Sequence, residues 1–205
     1  MRRAIFFSAT LAILMAAGTA LAAGIDGRFG ITGKAGALVP LQDSFISSTS
    51  GADPGFAAGG GFIFGFCKGL AAELDVTRLM KSNVNSSGNK VFEAALTDVA
   101  LGLQYRFAPD NRLVPFVGGG ADFIKGQLKS TAGLDYDLDW TVGGHVNLGL
   151  DYFVTRGIAF TTDIRGLFAS DGDVNRSGTK VGKYDPMSFI GTVGIRLFLP
   201  EHPFE

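Results

Sequence analysis

Residues 140–153 read WTVGGHVNLGLDYF. Every second residue from Trp140 gives Trp140, Val142, Gly144, Val146, Leu148, Leu150 and Tyr152; the residues between are Thr141, Gly143, His145, Asn147, Gly149, Asp151 and Phe153. Alternation with a period of two over so long a run marks a strand with one apolar and one polar face. In a soluble sandwich the apolar face would be the core. In a membrane-spanning barrel it would meet lipid, and the polar face would line the interior.

The N-terminus bears on that choice. Arg2 and Arg3 precede an almost continuously apolar run from Ala4 to Ala17, and Ala20-Leu21-Ala22 supplies a small-x-small pattern. That is the layout of a secretory signal peptide, with cleavage expected after Ala22. The expected division is a signal peptide over 1–22, a barrel over 23–199 and a periplasmic tail over 200–205. The formal net charge is -1, which gives no basic surface for nucleic acid. Only 18% of residues are charged and mean hydropathy is positive, yet no later stretch offers the roughly 18 uninterrupted apolar residues of a spanning helix. Apolar content spread over alternate positions, with 30 glycines and 18 phenylalanines, suits closely packed strands and aromatic girdles.

The alternation recurs. Strands are expected at about 28–39, 56–66, 70–79, 91–107, 114–125, 140–153, 158–168 and 189–199. The connections at 67–69, 108–112 and 155–157 are tight; those at 41–55, 81–90, 126–139 and 169–187 are long and polar. An even number of strands with alternating short and long connections predicts an all-β chain, an eight-stranded antiparallel transmembrane β-barrel. The short turns and both termini then belong in the periplasm, and the protein in the outer membrane of a Gram-negative bacterium. Such a barrel leaves no open edge, so every backbone donor and acceptor can be paired in lipid.

The register places polar side chains inside: Glu73, Asp75, Gln104, Arg106, His145, Asn147, Asp151, Asp163, Arg165 and Arg196, with Arg28, Thr32 and Lys34 beside them. Glu73, Asp75, Gln104, Arg106, Asp151, Arg196 and Arg28 fall toward the short-turn ends of their strands. Opposite charges in a narrow tube pair, because an unpaired buried charge is costly. They make either a structural plug of ion pairs or a gated polar constriction, and eight strands leave no wide aqueous pore. The other half of the lumen is expected to be small and apolar, through Gly59, Gly61, Ile63, Leu79, Ala94, Leu96, Gly118, Gly120, Gly143 and Leu167, with Asp98 and Asp122 as exceptions.

The chemistry of sites is otherwise sparse. Cys67 is the single cysteine, so no internal disulfide is possible. His145 has no other histidine or cysteine at ligand spacing, which argues against a metal centre. No cofactor motif is present: the glycine runs 59–61 and 118–120 do not open a helix in a strand–helix–strand unit. No catalytic residue is assigned, and no enzyme activity is expected.

Three segments carry a family likeness. LVPFVGGGADF (113–123), WTVGGHVNLGLDYFVTRGIAFTTDIRGLF (140–168) and DPMSFIGTVGIRLF (185–198) resemble strands five to eight of the outer-membrane protein W (OmpW) family, and ALVPLQD (37–43) sits where that family has a proline after its first strand. The resemblance implies an eight-stranded barrel with a narrow, largely apolar channel linked to the passage of small hydrophobic molecules. Thr192, Gly194, Leu197 and Leu199 also resemble the C-terminal signal of outer-membrane proteins, followed here by Pro200-Glu201-His202-Pro203-Phe204-Glu205. The expected partners are therefore outer-membrane lipid, the outer-membrane assembly machinery and a small apolar ligand. Three functions stay open: a channel or carrier for small hydrophobic molecules, a structural or surface-interaction barrel whose loops bind partners, and a lipid-modifying enzyme using His145.

Overall fold

The computed structural model describes residues 24–41, 53–86, 89–131, 133–176 and 179–199. The expected signal peptide, the tail after Leu199 and most of the connection at 41–55 lie outside them. Ten strands follow in chain order: β1 Phe29–Pro40, β2 Gly55–Cys67, β3 Leu70–Ser86, β4 Asn89–Arg106, β5 Leu113–Ser130, β6 Asp135–Thr155, β7 Ile158–Ala169, β8 Gly172–Arg176, β9 Thr179–Tyr184 and β10 Ser188–Phe198. No helix of the described chain is long and apolar enough to cross a membrane.

Eight of the strands close on themselves. Neighbours run β5-β4-β3-β2-β1-β10-β7-β6, and β6 returns to β5. Each pairing is antiparallel. The seam between first and last strand is locked at its base, where Arg28 Nε donates to the Leu199 carbonyl at 3.0 Å and its guanidinium lies 5.6 Å from the Phe198 ring centre. At the tight β2–β3 turn Gly69 takes φ +80°, a left-handed conformation that glycine adopts without Cβ strain.

The alternation resolves as lipid-out, polar-in. Val146 is 59% exposed and Leu148 61%, while Asn147 between them is 3% exposed. Phe29, Phe62 and Phe64 cluster outside near the short-turn end, with ring centres 6.0 Å apart in both pairs. That is girdle geometry.

The connections at the long-loop end differ from expectation. Much of 81–90 and 126–139 continues β3, β4, β5 and β6, and 169–187 contains the β8–β9 hairpin, which joins β6 through Asp137–Asn175 and Leu138–Val174. The cause is a change of sign in the alternation. Along β5, Lys125, Gln127 and Lys129 are exposed while Ile124, Leu128 and Gly126 are buried. Above the lipid the sheet turns its polar face outward and its apolar face inward, as in a soluble protein. Polar residues that suggested loops are the wet face of continuing strands.

Candidate functional site in the barrel interior

The interior has three layers. At the short-turn end Ile25, Ile63, Ala71, Val114, Phe153, Ala159 and Phe198 form an apolar cluster. At the long-loop end Leu38, Leu79, Leu96, Leu128, Leu138, Ile190 and their neighbours form a second, capped by Val174 and Tyr184 of the hairpin. All ten polar candidates lie between, each buried. Two expectations change here. Arg28 sits at the short-turn end as expected, but Glu73, Asp75, Gln104, Arg106, Asp151 and Arg196 occupy the middle of the tube with an apolar layer beneath them, and Ile63 belongs to that lower layer. β3 contributes to all three levels in turn, presenting Ala71, Glu73, Asp75, Thr77 and Leu79 inward.

The lower charged group joins four strands. Arg196 on β10 donates through Nη2 to Glu73 Oε1 at 2.9 Å and through Nη1 to Asp151 Oδ2 at 3.1 Å. Arg106 on β4 donates to the same Asp151 oxygen at 2.6 Å. Gln104 donates to Glu73 Oε2 at 2.5 Å and accepts from Arg196 at 3.4 Å. Sequence reasoning did not assign Phe116, which lies among them: the guanidinium carbons of Arg196 and Arg106 are 5.1 and 5.8 Å from its ring centre. Such cation–π contacts strengthen where water is excluded. The ring has room because Gly149 pairs with Phe116; a Cβ at Gly149 would come within 2.3 Å of Phe116 Cζ. The signal was available, since an outward Val117 obliges an inward Phe116.

The upper group is built round Asp75, which takes Lys34 Nζ at 2.9 Å and the Thr77 hydroxyl at 2.8 Å. Arg165 Nη1 lies between two carboxylates, 3.5 Å from Asp98 and 3.9 Å from Asp75. Two pairs flank it: Asn147 donates to Asp163 at 2.7 Å, and His145 Nδ1 stands 2.8 Å from Asp122 Oδ2. A hydrogen bond from this nitrogen to an ionised carboxylate requires the proton on Nδ1. The His145 ring lies over Gly102, where a Cβ would approach Nε2 at 3.2 Å. Asp98 and Asp122, apart from the charged set in the sequence, thus belong to the same network.

Chemically, this is a layer of buried charges paired across strands far apart in sequence. His145 has a carboxylate partner, and among the described residues no group of three histidine, cysteine or acidic side chains is placed to hold a metal. Cys67 is exposed at the end of β2 and unbonded to sulfur.

The family model for the outer membrane protein beta-barrel domain matches residues 7–196. Among solved structures, the chain is similar to the outer membrane protein OprG from Pseudomonas aeruginosa, at 16% identity and TM-score 0.68, over 88% of this chain and 99% of that one. It is similar to Neisserial surface protein A (17%, TM-score 0.58, covering 84% and 97%) and to the N-terminal β-barrel domain of Pseudomonas aeruginosa OprF (12%, TM-score 0.52, covering 85% and 98%). Among curated proteins no sequence matches. At these identities the structural likeness speaks for the fold.

Proposed function

The chain belongs to the outer membrane protein beta-barrel domain family and lies in the outer membrane of a Gram-negative bacterium, and from that premise we propose that it is a narrow, OmpW-like carrier for small hydrophobic molecules, taken up at its extracellular half. The observation that carries this reading is the apolar layer of Leu38, Leu79, Leu96, Leu128, Leu138 and Ile190 at the long-loop end, which short periplasmic turns and long outer loops make the extracellular one. A small apolar molecule has no tightly held water shell to lose and can exchange with such side chains. The charged layer below stops it at mid-depth, so it leaves sideways between strands into the bilayer. The chain is read as a non-enzyme, cut after Ala22 and delivered by the outer-membrane assembly machinery.

A structural or surface-interaction barrel is the second reading. It is favoured by the seal at both ends of the ion-pair layer, Ile25, Phe153 and Phe198 below and Leu128, Leu138 and Tyr184 above. One paired experiment separates the two: ion conductance in planar bilayers and uptake of a hydrophobic dye by cells, for wild type, Arg106→Ala and Leu128→Gln. The carrier reading expects Leu128→Gln to lower dye uptake with conductance unchanged, and Arg106→Ala to alter conductance more than uptake. Wild type without uptake above a strain lacking the protein would overturn it in favour of the structural reading. The glycine positions are unsuitable for this test: a Cβ at Gly120 would lie 2.1 Å from the Leu101 carbonyl oxygen, so a larger residue there perturbs the barrel itself.

A further inference from the structure

The outer wall carries a boundary row at the long-loop end of β3 to β6. Arg78 pairs across the sheet with Thr97, and Thr97 with Lys125. Where β5 pairs with β6 the register shifts between Ile124 and Gly126, so Lys125 faces both Asp139 and Trp140 of β6. This bulge bends the strand and re-aims its side chains. Trp140 is 60% exposed, with Lys125 Nζ 5.6 Å from its ring centre. Arg78 Nη1 lies 3.4 Å from the Thr97 hydroxyl. Together with Gln127 these residues line an open cleft of about 360 Å³ on the outside of the barrel.

The row directly below is wholly apolar: Val76, Val99, Phe123 and Val142, in mutual register. The outward row above is Met80, Ala95, Gln127 and Asp137, and the next carries Glu93, Lys129 and Asp135. Arg78 and Lys125 therefore mark the level at which the wall passes from lipid to water, on the extracellular side. Among the described residues neither makes an ion pair, whereas Lys180 and Lys183 on the hairpin have Asp173 and Asp171 at 2.6 and 3.8 Å. Two cations beside an exposed indole, above an apolar strip, match an amphiphile with phosphate at the headgroup level and acyl chains below it.

We propose that Arg78, Thr97, Lys125 and Trp140 form a binding site for a phosphorylated glycolipid of the outer leaflet. The guanidinium and ammonium take the phosphate as charge-assisted donors, Trp140 lies at the interface where indoles are favoured, and the acyl chains run over Val76, Phe123 and Val142. A soluble protein partner would leave that apolar strip to lipid and use only the polar half of the cleft. The test is native mass spectrometry of the refolded, full-length mature barrel in detergent, titrated with diphosphorylated lipid A, with dephosphorylated lipid A and with phosphatidylglycerol. Wild type is expected to hold diphosphorylated lipid A most tightly. Arg78→Ala and Lys125→Ala should each weaken it roughly tenfold, from loss of a charge-assisted contact, and Lys183→Ala should not. Both substitutions remove outward side chains without ion-pair partners, and an unchanged gel shift on boiling confirms the fold. Equal binding by the double variant, or equal binding of the dephosphorylated lipid, would overturn the site; phosphatidylglycerol bound as tightly as lipid A would overturn the glycolipid assignment.

Discussion

Arg196 shows what a single residue does inside this barrel. It touches Glu73 at 2.9 Å, Asp151 at 3.1 Å and the face of Phe116, so it joins β10 to β3, β5 and β6 in one contact set. Removing one partner of a buried ion pair leaves an uncompensated charge, at a cost of about 3–5 kcal/mol. Arg196→Ala is expected to lose about that much in urea unfolding of the refolded protein in lipid vesicles. Arg196→Lys should lose less, because it keeps the charge and forfeits only the two-pronged geometry. A loss under about 1 kcal/mol for the alanine variant would show that the cluster is wet and screened. The alternation at residue resolution was legible, since Leu148 outside and Asn147 inside follow from period two alone. The partner of each charge was not legible: Glu73 and Arg196 are 123 positions apart, and only barrel closure brings them together.

At the scale of elements, the β8–β9 hairpin is the feature that polarity concealed. Its Val174 and Tyr184 side chains complete the upper apolar layer, and the Tyr184 hydroxyl lies 3.1 Å from that of Thr141 and donates to the Asp139 carbonyl at 3.2 Å. Burial pushes the Tyr184 phenol above its ordinary range. Deleting residues 172–184 uncovers Leu128 and Leu138 while leaving all eight barrel pairings in place. The shortened protein is therefore expected to keep its heat-dependent gel shift and to bind an environment-sensitive apolar dye more strongly. Unchanged dye fluorescence would show that the hairpin is no lid. The same physical change hid the strand extensions: Gln127 and Lys129 face water and Leu128 faces in, which inverts the pattern that identified the strands within lipid.

For the whole molecule, closure is the controlling fact. Each of the eight barrel strands is hydrogen-bonded on both sides, and an open sheet edge cannot persist in hydrocarbon. The barrel chain should therefore refold in detergent with a strand-rich circular dichroism spectrum, and its gel mobility should change on boiling. A helix-dominated spectrum from folded, pure protein would end the barrel assignment.

The sequence by itself determined the fold class, the strand count within the membrane, the facing of β6 and the membrane that receives the chain. These are local or additive properties: alternation is set by backbone geometry, and the number of alternating apolar segments by counting. The tertiary structure alone decided that the charges sit mid-barrel between two apolar layers, that Phe116 lies beneath two guanidiniums, and that Arg78, Thr97, Lys125 and Trp140 share one level of the outer wall. Level in a barrel depends on inter-strand register and strand tilt. Register is fixed by pairings such as Thr97 with Lys125 and by the bulge opposite Lys125, which belong to two strands at once and so to neither strand's own pattern.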